Sequence, residues 1–390
     1  MWRPTFTIIR KVVYPALKEN INMGRIYFST KSRPRSTARL TLVSASIGVL
    51  VGAGYGGYTH YKVNSKTKVS PTEKEEYAFL KEPPNYKPHY KIIGDNDPSD
   101  MHIVLFQYRT CPFCCKVRAY LDSKGISYEI VEVDAVLRQA IKWSGYKKVP
   151  IMLVKVDGGY QQLMDSTAII SILETYLLDK TYSIRDIIKF YPANKILDNS
   201  GKSTTEIANR YFVMSHTPQT DGKVHDDEME ERKWRQWADR VLVHTLSPNV
   251  YRTTAESLET FNWFAEAGGW RQAFPAWECA LMVYGGATAM YFIAKRLKKR
   301  HHIKEDARQS LYDAAREWSN AVKKKGTPFL GGETPNIADV TVYGVLSSIE
   351  GCTAFQDLRN NTDIGVWYDN IKNAIETKSG KVVMTHAITA

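Results

Sequence analysis

An α+β domain followed by an all-α domain is the architecture that this 390-residue sequence predicts, on three observations. A Cys-x-x-Cys step, Cys111 to Cys114, stands between an apolar strand pattern and an amphipathic helix pattern. A Val149-Pro150 step stands at the start of a later strand pattern. Beyond residue 221 the apolar residues recur at helical rather than strand spacing.

The strand expected over residues 102–108 leads into the cysteines, and the helix expected over 114–123 is closed by Lys124-Gly125, a glycine where helices commonly end. Strand, Cys-x-x-Cys and helix in that order open a thioredoxin-like fold. Cys111 falls at the helix N-terminus, where unpaired N–H groups and the positive end of the helix dipole stabilise an anion, so its thiolate is the expected nucleophile. Pro112 suits the first helical turn, where a missing N–H costs nothing. Cys114, one turn deeper, reads as the resolving or supporting thiol, and Cys115 points about 100° away, as a small residue packed under the helix. A four-ligand zinc site needs a second Cys or His pair, and Cys279 and Cys352 are isolated.

A second strand is expected over 128–133, a helical run over 135–143 and a third strand over 146–154. Thioredoxin-like folds place a cis-proline where Pro150 stands, which would turn the Val149 backbone outward to pair with an extended peptide such as glutathione. Gly158-Gly159 turns into a strand over 160–163, and Asp165-Ser166 starts a helix over 167–178. Ser166 reads equally as the cap of that helix or as part of an N-terminus that receives a ligand carboxylate.

Residues 1–39 hold nine bases and one acid, eight of the twelve net positive charges, in the manner of a mitochondrial targeting segment. With that segment set aside the remainder is mildly basic, which gives no support to nucleic acid as a partner. Residues 40–58 carry no charge and are about long enough to cross a bilayer, with Gly48, Gly52 and Gly56 at the spacing of close helix contacts. A single membrane anchor is expected there, with a cleaved targeting segment as the alternative. Residues 59–99, with five prolines, read as a linker, 100–178 as the first domain, 179–221 as a connection and 222–390 as the helical domain.

In the helical half, helices are expected over 228–246, 276–300, 304–325, 336–351 and 364–377, with Asn336 capping and Asp339 reaching back. The uncharged run 281–294 is too short for a membrane span and is expected to be a core helix. The cluster Lys295, Arg296, Lys298, Lys299, Arg300, His301 and His302 reads as a solvated helix end or as a grip on a carboxylate. Five cysteines, three of them clustered, do not make a disulfide-stapled secreted protein. No Walker loop, dinucleotide fingerprint, metal-binding His motif, serine elbow or internal repeat is present.

Tyr108-x-x-Cys-Pro-Phe-Cys, Lys148-Val-Pro150, Asp165-Ser166, Lys233-Trp-Arg-Gln-Trp-Ala-Asp239, Leu242-Val-His244, Ser247-Pro-Asn-Val-Tyr-Arg252 and Gly331-Gly-x-x-Pro-Asn-Ile-Ala-Asp339 resemble the prostaglandin E synthase 2 family over about residues 100–374. The resemblance implies an α+β thioredoxin-like N-terminal domain followed by an all-α glutathione-transferase-like C-terminal domain, with an N-terminal membrane anchor. It implies an isomerase acting on prostaglandin H2, a fatty-acid-derived small molecule, with Cys111, Tyr108 and Cys114 as catalytic residues and glutathione at Val149, Pro150, Asp165 and Ser166. Phe113 and Lys148 are implied for the substrate, and His244, Arg296 and Arg300 for substrate or haem propionates. A homodimer is expected from the architecture. The N-terminus favours a mitochondrial membrane, and the resemblance also allows a Golgi membrane with a processed cytosolic form. Two other functions stay open: a membrane-anchored glutathione and haem binding protein, and a glutaredoxin-like disulfide reductase.

Overall fold

The computed structural model describes residues 74–75, 77–197, 203–214, 222–301, 303–304 and 306–384. The expected targeting segment and membrane anchor lie outside these residues, and among the described residues no helix is long and apolar enough to cross a membrane.

The apolar run 103–106, closed by buried Gln107, makes a strand, Ile103–Gln107 (β4), buried on both faces, which is what a central strand needs. It pairs in parallel with β5, Tyr128–Glu132, across helix α1, Pro112–Ser123, and antiparallel with β6, Ile151–Val156, which turns into β7, Gly159–Met164. Helix α2, Ser166–Leu178, follows and packs back on α1. Three further strands widen the sheet. The first two, β2 (Phe79–Leu80) and β3 (Tyr90–Ile93), come from the stretch expected as a linker, and the third, β10 (Lys381–Met384), from the end of the chain, giving the order β10-β3-β5-β4-β6-β7-β2. Among the described residues, Pro83, Pro84, Pro88 and Pro98 therefore separate short strands rather than hold an open spacer.

Two expectations yield to local chemistry. Residues 135–143 form only a short 3-10 turn, Gln139–Ile141, because the Asp134 carboxylate takes the backbone N–H groups of Leu137, Arg138 and Gln139 and Arg138 is left-handed at φ 51°. A side chain that caps three successive amides competes with the helix for them. The connection over 179–221 contains the hairpin β8–β9, Ala193–Leu197 with Ser203–Ile207, joined by β1, Lys74–Glu75.

The second half is helical. Gly222–Trp237 (α3) runs through a π turn, Ala238–Leu242, into Val243–Val250 (α4). Thr254–Ala267 (α5) was not expected; its buried side is built from Ser257, Thr260 and Ala265 rather than large apolar residues, so the usual periodicity is faint. Ala276–Ala280 continues through a second π turn, Leu281–Gly285, into Gly286–Arg300 (α6). Ala307–Lys325 (α7), Ile337–Ser347 (α8), Thr353–Asn361 (α9) and Ile364–Glu376 (α10) complete the domain, and the Asn336/Asp339 capping box opens α8. The core is aromatic: buried Trp318 meets Trp234 and Trp367 edge to face at 5.3 and 5.1 Å. A mixed sheet followed by a helix bundle is the thioredoxin-like, glutathione-transferase-like order.

Helix α8 lies on α1 at a glycine. A Cβ on Gly344 would sit 2.5 Å from the Lys116 Cα, against backbone that cannot step aside. Gly344→Ala is therefore expected to cost about 1–3 kcal/mol despite the better helix propensity of alanine. Urea unfolding of the two proteins checks this, and an unchanged midpoint would mean the helices can part freely.

Candidate active site

The site is built where β4 hands the chain to α1. Cys111 is the N-cap residue of α1, with Pro112 at the first helical position, and its N–H returns to the Tyr108 carbonyl at 3.1 Å. The Cys114 thiol donates to the Cys111 sulfur, which also receives the backbone N–H groups of Phe113 and Cys114; with the nearby Arg118 guanidinium these outweigh burial and hold the Cys111 thiol below its ordinary value. Burial and the adjoining sulfur push Cys114 well up, although the Tyr108 N–H points at it. One sulfur is thus the anion and the other its donor. Burial also raises the Tyr108 phenol, beside the same cysteines, so the phenol keeps its proton for donation.

Cys115 faces elsewhere. Burial raises its thiol, which donates to the Arg109 carbonyl at 3.3 Å and receives Arg118 Nη2 at 3.2 Å, and it lines a separate cavity of about 540 Å³ with Arg109, Arg118 and Tyr343. Arg118 is held in turn by Gln107 Oε1 at 2.5 Å and the Arg109 carbonyl at 2.7 Å. It is the cation of this thiol cluster, and sequence spacing alone gave no sign of it.

The edge expected to receive glutathione begins at the Val149-Pro150 step. The Val149-Pro150 bond is cis, with Pro150 buried and Val149 half-buried ahead of β6. Asp165, at φ 67°, caps α2 through Oδ1, which accepts from Thr167 N at 3.0 Å and Ala168 N at 3.1 Å, while Oδ2 accepts from Arg210 Nη1 at 3.0 Å. The cap is therefore Asp165 and not Ser166, which is buried as the first residue of the helix. Behind them Lys116, with no exposed surface, is paired with Asp239 of the π turn and donates to Thr167 Oγ1 at 3.0 Å. Thr167 and Tyr211 hydroxyls donate to Asp239 Oδ2 at 2.6 and 3.2 Å. Buried Tyr251, from the helical half, lies within electrostatic reach of Cys111.

A glutaredoxin family model matches residues 103–157. Prostaglandin E synthase 2 of Mus musculus is 46% identical over 280 residues, 71% of this chain and 71% of its own. The chain belongs to the prostaglandin E synthase 2 family. Prostaglandin E synthase 2 of Danio rerio is 42% identical over 331 residues, 84% of this chain and 80% of its own. Among solved structures, the apo form of a glutathione S-transferase III aligns over 71% of this chain and 94% of that one, at 13% identity and a TM-score of 0.40.

Not every residue expected for a prostaglandin E synthase 2 site is brought to the cysteines. Phe113 is 37% exposed at the first turn of α1, with Lys116 Nζ 5.5 Å from its ring centre, and Lys148 is exposed. Arg296 and Arg300 are exposed on the outer side of α6, and the His244 ring stacks on His301 at 3.9 Å, with burial and that second imidazole holding it below the ordinary histidine value.

Glu278 is a residue that the sequence did not single out. It is 4% exposed, its Oε1 has no partner, and its carboxyl faces that of Asp134, next to Tyr108. Burial and the Asp134 charge raise the Glu278 carboxyl above its ordinary value. A carboxyl raised on folding contributes stability below its unfolded value and loses it as the pH rises through the folded one. Glu278→Gln is thus expected to melt higher than the parent near pH ~8 and alike near pH ~4, by calorimetry.

Proposed function

We propose that this chain isomerises prostaglandin H2 to prostaglandin E2, with the Cys111 thiolate attacking the endoperoxide and glutathione seated beside it. The observation that carries the reading is the Cys114-to-Cys111 hydrogen bond at a helix N-terminus, in a chain 46% identical to a protein named prostaglandin E synthase 2. The reaction breaks an O–O bond and removes a C–H proton with no net oxidation. Sulfur attacks the oxygen on carbon 9, an S–O bond forms, and the oxygen on carbon 11 leaves with the O–O pair as an alkoxide that takes a proton. Loss of the carbon-9 proton then sends its electron pair into the carbonyl, the S–O bond breaks and the thiolate returns. One proton is gained, one is lost, and the sulfur ends as it began.

A soft anion suits the weak peroxide bond, and the Tyr108 phenol, kept protonated by burial, donates to the developing alkoxide. Glutathione lies along the outward Val149 edge with a carboxylate at the Asp165-Ser166 helix start, where Arg210 supplies the counter-charge. The glutaredoxin match supports this placement. Phe113 forms an apolar wall for an acyl chain, and Lys148 draws its carboxylate. A membrane anchor at 40–58, in the mitochondrion or alternatively at the Golgi, belongs to the same proposal, supported by the composition of residues 1–58, and so does a homodimer, supported by the glutathione-transferase-like architecture alone.

The test is product resolution: purified protein given prostaglandin H2 yields prostaglandin E2 in excess over the spontaneous mixture of products. A product ratio equal to that of buffer alone sinks the proposal. A second reading, a glutaredoxin-like disulfide reductase, is favoured by the contact of the Cys114 thiol with Cys111. It predicts rapid reduction of a mixed glutathione disulfide, which isomerisation does not require.

A further inference from the structure

The helix that runs from Ala276 through the π turn to Arg300 has two apolar sides, where a core helix has one. The inner side, Met282, Val283, Ala287 and Ala294, is buried, with Ser257 Oγ of α5 donating to the Ala287 carbonyl at 2.7 Å. The outer side carries Trp277, Leu281, Tyr284, Phe292 and Ile293 in water, with Trp277 59%, Tyr284 64% and Phe292 63% exposed. The expectation of a core helix over 281–294 thus holds for one side only. Water-exposed aromatic rings on one continuous helix face mark a surface that something covers.

The same face passes into cations. One turn after Phe292 come Lys295 and Arg296, and one turn later Lys299 and Arg300, all four exposed. Lys295 Nζ lies over the Tyr291 ring at 4.3 Å, a long side chain lying along apolar surface with its charge at the margin. Between Glu278 and Glu305 the sequence has no acid. We propose that this face docks on an anionic bilayer surface, with Trp277, Leu281, Tyr284 and Phe292 entering the headgroup region and Lys295, Arg296, Lys299 and Arg300 pairing with lipid phosphates.

Charge complementarity selects this occupant. Aromatic and aliphatic residues continuous with Lys and Arg on one face are the pattern of a helix lying in a membrane interface. A second copy of the chain on the same face would bring a second basic cluster to the contact, with no acid in either helix segment after Glu278 to offset it. The docking needs no residue of the thiol site.

Quenching by brominated lipid reads the contact in the full chain, because the difference between the parent protein and Trp277→Phe isolates that one ring whatever the first 58 residues do. With vesicles of equal parts phosphatidylcholine and phosphatidylserine carrying brominated acyl chains, the Trp277 share of the emission is expected to be lost. It is expected to persist with phosphatidylcholine alone, and with phosphatidylserine once Lys295, Arg296, Lys299 and Arg300 are all changed to Ala. Persistence with the anionic vesicles, or equal loss with neutral ones, overturns the proposal. So does a Trp277 emission that shifts with protein concentration in lipid-free buffer, the sign of a second copy.

Discussion

Cys111→Ser is expected to lower turnover of prostaglandin H2 by at least about a thousandfold while the melting temperature and glutathione binding stay near those of the parent. The hydroxyl occupies the same N-cap position but is not an anion at neutral pH, so the geometry survives and the nucleophile does not. Cys114→Ala separates the anion from its support. It removes the thiol donor that contributes most to holding Cys111 down, so the alkylation profile of Cys111 moves up towards the ordinary thiol range near ~8.5, and turnover at neutral pH falls less than in Cys111→Ser. Cys115→Ser, whose partners are Arg118 and the Arg109 carbonyl, changes neither profile much. Linkage gives an independent check. A thiol lowered on folding adds stability above its unfolded value, which fades as the pH falls through the folded one. The parent should therefore exceed Cys111→Ser in stability more near pH ~9 than near pH ~6. An ordinary titration of Cys111 in the parent protein would falsify the thiolate mechanism.

What the sequence disclosed of this site is what lies close along the chain. The strand, the Cys-x-x-Cys step and the helix are contiguous, so strand propensity, the proline and the glycine stop all act within a few residues of one another. The Val149-Pro150 bond follows from its place before β6 in the same way. The supports of the site come from afar. Asp239 reaches Lys116 across 123 positions, Tyr251 approaches Cys111 from the helical half, and Glu278 meets Asp134 only because the helix Ala276–Ala280 returns over the first domain. None of these pairings leaves a periodicity to read. Composition also misled in places. Strand β10 exposes both Val382 and Val383, so no alternation announces it, and α5 hides its inner side in Ser257 and Thr260, with Leu258 turned outward. Pro83, Pro84, Pro88 and Pro98 made short strands resemble a spacer.

Asp239→Asn is expected to destabilise the protein by about 3–5 kcal/mol, because it leaves the Lys116 ammonium, which has no exposed surface, without a counter-ion. The partners are not equivalent. Asp239 keeps a little solvent and the hydroxyls of Thr167 and Tyr211, so Lys116→Met, which leaves a carboxylate with two donors and a nearby Arg210, costs less. In the double variant the Asn oxygen still accepts from both hydroxyls while no charge is buried, and the loss shrinks towards that of Lys116→Met alone; urea unfolding of the four proteins gives the coupling. Burial opposes ionisation of Asp239, yet Lys116 and the Thr167 hydroxyl outweigh it and hold the carboxyl below the usual carboxylate range. The carboxylate therefore stabilises above its unfolded value near ~3.9, and its advantage over Asn narrows as acid is added below that point. The pair also links the two halves of the active site, since Thr167 sits in the first turn of the helix that Asp165 caps. Weaker glutathione binding should accompany the lost stability in Asp239→Asn and recover in the double variant. If Asp239→Asn costs under about 1 kcal/mol, the buried pair holds neither the interface nor the helix start.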